Sequence, residues 1–137
     1  IGAQPLPILN CGLTCQWHES LTIPMEEMGP IIQDYLDLIE FANGDTDTTW
    51  GRVRAQMGHP EPFGLTMLGI GNEQWETEKV DFFRRYTLFE EAIHKKYPEI
   101  KLTEEELLLK ANAWEIAHGG KSGRTAQQFI DYLLGKM

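Results

Sequence analysis

The chain has 137 residues, a formal net charge of −9 and a pI near 4.8, with 42% hydrophobic residues. That length allows one modest core but not a complete (β/α)8 barrel, which needs about 250 residues. The acidic balance opposes a phosphate-backbone partner, since nucleic-acid binding rests on clustered Lys and Arg, and no run of about 18 apolar residues marks a membrane span.

Residues 5 to 17 begin with Pro5 and Pro7, which forbid a helix start, and continue as an apolar run. The pattern predicts a strand over 8–14, which would place Gln16, Trp17 and His18 just past its end. Trp17 there also fits a half-buried aromatic without a binding role. On such a strand Cys11 and Cys15 would lie about 13 Å apart, beyond the roughly 7 Å limit for a disulfide. A reduced compartment fits that arrangement, and so does a periplasmic one. No basic region followed by an apolar run marks a leader, so no localisation is read.

Gly29-Pro30 reads as an N-cap followed by proline at the first helical position. Ile31, Ile32, Tyr35, Leu36, Ile39 and Ala42 then recur at helical spacing, with Asn43-Gly44 as C-cap, so a helix is predicted over 30–43. Its Asp34, Asp37 and Glu40 are expected on the solvated face. Residues 45–64 lose periodicity and read as loop, with a short helix around 50–57; structural roles are favoured for Trp50 and His59.

Leu65-Thr66-Met67-Leu68-Gly69-Ile70-Gly71 reads as a buried strand that ends abruptly in Asn72-Glu73-Gln74-Trp75. Strands of parallel sheets show such continuous apolar runs, and ligands sit beyond their carboxyl ends. Glu73 therefore stands where a ligand would lie. A helix is predicted over 78–96, capped by Thr77, with Val80, Phe83, Tyr86, Leu88, Phe89 and Ile93 toward the core and Pro98 beyond its end. A strand follows over 99–102. Thr103-Glu104-Glu105-Glu106 and Thr125-Ala126-Gln127-Gln128 are capping boxes that open helices over 104–118 and 125–134, a helical hairpin.

Gly69-Ile70-Gly71-Asn72-Glu73-Gln74-Trp75 resembles the strand-four signature of family 51 glycoside hydrolases, the α-L-arabinofuranosidases. Leu36 to Gly44, Trp50-Gly51-x-x-Arg54-Ala55 and Gly58-His59-Pro60-Glu61-Pro62-Phe63 resemble the same family in the same order. The resemblance covers residues 1–102 and implies an α/β fold: a partial (β/α)8 (TIM) barrel of about three parallel β/α units, strands three to five, with residues 103–137 as a separate hairpin tail. It implies Glu73 as general acid/base, Asn72 as the amide bound to the sugar 2-hydroxyl, and Trp75, Gln16 and Trp17 at the substrate rim. The partner implied is an arabinofuranosyl-containing oligo- or polysaccharide.

A retaining glycosidase needs two carboxyl groups about 5 to 5.5 Å apart. The family's nucleophile lies on strand seven, past anything that resembles the family here, so the catalytic pair is expected to be incomplete. The non-catalytic alternative is a small α/β module whose tail covers a sheet edge or binds a partner; Asn72 and Glu73 would then only bind backbone amides. Ala113 to Phe129 weakly resembles the carboxyl end of bacterial predicted AAA+ ATPases, which would make the chain composite or artificial. No phosphate-binding loop accompanies it, because Glu115 occupies the first glycine's place in GxxxxGK[ST]. Gln74 defeats a dinucleotide reading of Gly69-x-Gly71, and the four histidines lack zinc spacing. No cofactor and no metal are expected. The sheet edges left by a partial barrel are expected to be covered by the tail, by self-association or by another chain.

Overall fold

A computed structural model describes residues 2–14, 21–72 and 81–102, apart from the side chain of Phe83. These belong to the first of two units into which the chain divides, Ile1–Leu102; the second, Thr103–Met137, lies outside the described residues, and with it the expected hairpin. The elements are β1 (Ile8–Leu9), α1 (Gly29–Asn43), α2 (Thr49–Gln56), β2 (Met67–Ile70), α3 (Phe82–Lys96) and β3 (Lys101–Leu102), with a short 3-10 turn at Met25–Glu27. The fold is α/β.

All three strands are parallel, in the order β1-β2-β3. Ile8 pairs with Gly69 and Leu9 with Ile70; Met67 pairs with Lys101 and Leu68 with Leu102. Parallel neighbours need a crossover, which α1 and α3 supply. Side chains alternate across a strand, so Leu68 and Ile70 share one face, and both are buried with Leu102. Ile39, Tyr35, Phe89 and Ile93 complete this core, and the Tyr35 and Phe89 rings meet at 4.5 Å between centroids. Each fully buried aliphatic chain contributes about 1.5 to 3 kcal/mol.

The strand expected over 8–14 stops at Leu9. The Asn10 side chain takes over the backbone: its Oδ1 accepts from Gly12 N–H at 2.7 Å and Leu13 N–H at 3.1 Å, while Nδ2 donates to the Leu13 carbonyl at 2.7 Å. Such a turn competes with the ladder, and Gly12 completes it at φ +83, a conformation that side chains resist. Leu13 instead bridges antiparallel to Thr22. Cys11 is therefore a buried residue of a turn, and the strand geometry invoked for the Cys11 and Cys15 separation does not hold; Cys15 lies outside the described residues.

Helix α1 starts one residue earlier than expected, with Met28 at the cap position. Its other end departs more. Gly44 is extended, at φ −64 and ψ 150, so no left-handed glycine caps the helix. The last-turn carbonyls find other donors: Arg54 reaches the Phe41 carbonyl at 2.8 Å, and Phe63 N–H reaches the Ala42 carbonyl at 2.8 Å. Orphan helix carbonyls must be met somehow, and a cation at a helix C-terminus also suits its dipole.

Glu40 is not simply solvated. Its Oε2 accepts from Trp50 N–H in the first turn of α2 at 3.1 Å, and Lys96 Nζ at the end of α3 lies 3.4 Å from Oε1. One carboxylate thus ties three helices. The buried stripe of α3 consists of Phe82, Arg85, Tyr86, Phe89 and Ile93. Phe82 joins the core positions expected from sequence, and the side chain of Phe83 lies outside the described residues.

Candidate active site at the strand ends

Because β1 and β2 run parallel with Leu9 beside Ile70, both strands discharge their next residues at one edge of the sheet. Gly71 N–H still donates to the Leu9 carbonyl, at 2.8 Å. Gly71 then turns at φ +74, leaving the extended region, and Asn72 follows in an exposed bend. Among the site residues expected from sequence, Asn72 is the one within the described residues. Glu73, Trp75, Gln16 and Trp17 lie outside them, as do His18 and Thr77.

The edge around Asn72 is built by residues that sequence reasoning did not single out. Tyr35 of α1 is buried, and its hydroxyl faces the Leu9 carbonyl at 2.7 Å and the Asn10 carbonyl at 3.1 Å. That contact pins the end of β1 to the helix. Beyond it, Thr14 N–H donates to the Leu21 carbonyl at 3.0 Å, Leu21 N–H to Thr14 Oγ1 at 2.8 Å, and Ile23 N–H to the Gly12 carbonyl at 2.9 Å. These contacts form the base of a hairpin. A cleft of about 300 Å³ opens there, lined by Asn10, Gly12, Leu13, Thr14, Leu21, Thr22 and Ile23. Its lining offers the hydroxyls of Thr14 and Thr22 beside apolar surface.

Arg85 supports the hairpin from α3. It is 3% exposed, and its guanidinium donates to the Ile23 carbonyl at 2.6 Å and contacts Met28 Sδ at 3.2 Å. A Cβ on Gly12 would fall 2.9 Å from that sulfur and 3.3 Å from Arg85 Nη1. The turn, the methionine and the guanidinium are therefore packed against one another. Asn10-x-Gly12 was a readable turn signal. Arg85 carried only its position, three residues after Phe82 on the apolar stripe.

The approach to β2 is fastened as firmly. Asn43 Nδ2 donates to the Leu65 carbonyl and Asn43 Oδ1 accepts from Leu65 N–H, both at 2.7 Å. Arg54, fully buried, donates through Nε to the His59 carbonyl at 3.0 Å and through Nη2 to the Gly44 and Pro60 carbonyls at 2.8 and 2.9 Å, besides Phe41. The structural parts expected of His59 are its carbonyl and its ring, edge-on to Phe63 at 5.5 Å. Among the described residues no group of three or more His, Cys, Asp or Glu is placed to hold a metal ion.

This parallel α/β piece, with its polar strand end, has close relatives. A family model described as the alpha-L-arabinofuranosidase 1 domain matches residues 1–131. The chain belongs to that family. The match runs past residue 102 into the stretch where the sequence pattern changes character. An extracellular exo-alpha-L-arabinofuranosidase of Streptomyces chartreusis is 46% identical over 100 residues, 73% of this chain and 12% of that protein. Alpha-L-arabinofuranosidase 2 of Arabidopsis thaliana is 41% identical over 102 residues, 74% of this chain and 14% of that protein. An arabinose-bound GH51 α-L-arabinofuranosidase structure superposes with a TM-score of 0.62 at 27% identity, over 69% of this chain and 15% of its own. The chain thus spans 12 to 14% of the length of these two curated relatives.

Proposed function

We propose that this arabinofuranosidase-family chain is three consecutive β/α units of a (β/α)8 barrel, and that its β2 end carries the acid/base half of a retaining α-L-arabinofuranosidase site. The observation that carries this is the turn at Gly71, which presents Asn72 beyond β2 at the sheet edge shared with β1. Ile8 and Gly69 are paired on the face away from Leu68 and Ile70, and Ile8 is 48% exposed. That face would line the barrel.

In this reading Glu73, the next residue, protonates the leaving glycosidic oxygen and later deprotonates the attacking water. Asn72 hydrogen-bonds the sugar 2-hydroxyl, and Trp75, Gln16 and Trp17 border the substrate. The substrates are terminal α-L-arabinofuranosyl groups of plant polysaccharides. The partner carboxylate must stand about 5 to 5.5 Å from Glu73 to form the covalent intermediate. No glutamate of residues 103–137 has a sequence pattern that recommends it, so this chain alone binds arabinose but does not turn over arabinofuranosides. Among the described residues β1 and β3 are the outer strands of the sheet, edges that suit self-association.

Two measurements test this. Arabinose titrated to about 10 mM, a weak-binding range, is expected to shift the Asn72 amide resonance; no shift there removes the site. An aryl α-L-arabinofuranoside is expected to release no chromophore at an appreciable rate. Fast release, abolished by Glu73→Gln, would mean that another carboxylate serves as nucleophile, and the reading of an incomplete pair would fall.

A further inference from the structure

Away from the strand ends, α1 and α2 enclose a shallow cleft of about 280 Å³, lined by Asp34, Asp37, Leu38, Phe41 and Trp50. The four α1 positions fall at i, i+3, i+4 and i+7, a single stripe of the helix, and Trp50 from the first turn of α2 walls it. Trp50 is 37% exposed. Asp37 Oδ1 accepts from Gln33 Nε2 at 2.7 Å, which leaves its other oxygen available. Among the described residues, Asp34 and the Trp50 indole nitrogen take part in no hydrogen bond or ion pair.

No lysine or arginine lines the cleft. Nearby cations are engaged elsewhere: Arg52 donates to the Asp47 carbonyl at 3.0 Å, and Lys96 lies 3.4 Å from Glu40 and 5.1 Å from the Tyr97 ring centre. Two carboxylates and two aromatic rings therefore face one small volume that no Lys or Arg lines among the described residues. Coulomb attraction and the ring quadrupoles both favour a cation there. An anion gains from neither, and a neutral ligand forgoes the charge component.

We propose that this cleft receives an arginine side chain of a partner polypeptide. A guanidinium is planar, so it stacks on the Trp50 indole while its edge donors fork toward Asp34 and Asp37; a lysine ammonium supplies the charge without the plane. The proposal is independent of the strand-end site, because the two clefts share no lining residue.

The test uses the full chain and the Trp50 indole N–H resonance, assigned by its loss in Trp50→Phe. The probe is a short glycine peptide with two arginines, and the control replaces each arginine with citrulline, which keeps the shape and removes the charge. The arginine peptide is expected to shift the Trp50 signal with a Kd of about 1 mM at low salt, and to lose that effect as salt shortens the Debye length from about 30 Å to about 3 Å. Asp34→Asn and Asp37→Asn, changes of nearly equal size that leave the circular dichroism unaltered, should each weaken binding about threefold. An equal response to the citrulline peptide, or no shift at about 10 mM, overturns the proposal. A response to an arabinose oligosaccharide but not to the arginine peptide overturns it too, by making the cleft a carbohydrate surface.

Discussion

Replacing Arg54 by methionine should be the most damaging single change in the described residues outside the apolar core. Arg54 is fully buried and donates to the carbonyls of Phe41, Gly44, His59 and Pro60 at 2.8 to 3.0 Å. A hydrogen bond to a charged group is worth about 1.5 to 3 kcal/mol. Four would sum to more than one truncation can cost, because the 44–63 loop relaxes and water reaches some of the carbonyls. Each buried carbonyl left without its donor costs about 1 to 3 kcal/mol, and with part of that relieved a loss of about 3 to 5 kcal/mol is expected. With a urea m-value of about 2 kcal/mol/M it lowers the midpoint by about 1.5 to 2.5 M. Since a small domain holds only about 5 to 15 kcal/mol in all, Arg54→Met could unfold the chain outright, so Arg54→Lys is measured beside it. Lysine keeps the charge but lacks the planar fork, and about half the loss is expected. A loss below about 1 kcal/mol for methionine, or a lysine variant equal to wild type, would refute the reasoning.

Asn43→Ala removes both hydrogen bonds to the backbone of Leu65, which is 4% exposed; a loss of about 2 to 4 kcal/mol is expected, with faster amide exchange across Met67–Ile70 as the local readout. Gly51→Ala drives a Cβ onto the Asp45 carbonyl oxygen and to 2.6 Å from the Gly44 carbonyl oxygen. Both are backbone atoms, so a loss of at least about 1 to 3 kcal/mol is expected from thermal melts, and an unchanged melting temperature would contradict the packing. The Lys96 ammonium is held above its usual 10.5 chiefly by the Tyr97 side chain, with Glu40 adding to it. A raised pKa means that stabilisation is complete below the unfolded value and is lost as pH rises through the folded one. Lys96→Met should therefore lower stability at about pH 8 and make no difference well above about pH 11; the effect is small because Lys96 is half exposed.

How much of this could be read in advance depends on where each residue's partners lie. Helix α1 and strand β2 were legible because an apolar stripe and an apolar run are local patterns, and the parallel pairing followed from their alternation. The short β1 was misread because its apolar run concealed Asn10, whose amide outcompetes the ladder within three residues. Arg54, Arg85 and Glu40 were illegible for a different reason. A charged residue in a helical pattern reads as solvated, and only contacts distant in sequence overturn that: Arg54 with Phe41, Arg85 with Ile23, Glu40 with Lys96. Around the candidate site, the end of the strand before Asn72 was legible in the abrupt change to polar residues, while the Tyr35 and Arg85 supports were not.

The supports also bear on what an arabinofuranosidase piece of this length retains. Asn43 and Arg54 fasten the entry to β2, the Tyr35 hydroxyl pins the end of β1, and the ladder joins the two strand ends through Gly71 and Leu9. Every one of these contacts lies between residues 9 and 65 or within the sheet itself, so the two strand ends that lead to Asn72 are held from within the described residues. In the proposed function hydrolysis needs more, because an acid and a nucleophile must flank one bond at fixed separation. On the proposed reading, sugar binding and turnover therefore rest on different stretches of polypeptide. Arabinose should still recognise the end of β2 in a chain that cannot cleave it, and loss of the Asn43 clamp should abolish that recognition without touching any residue that meets the sugar.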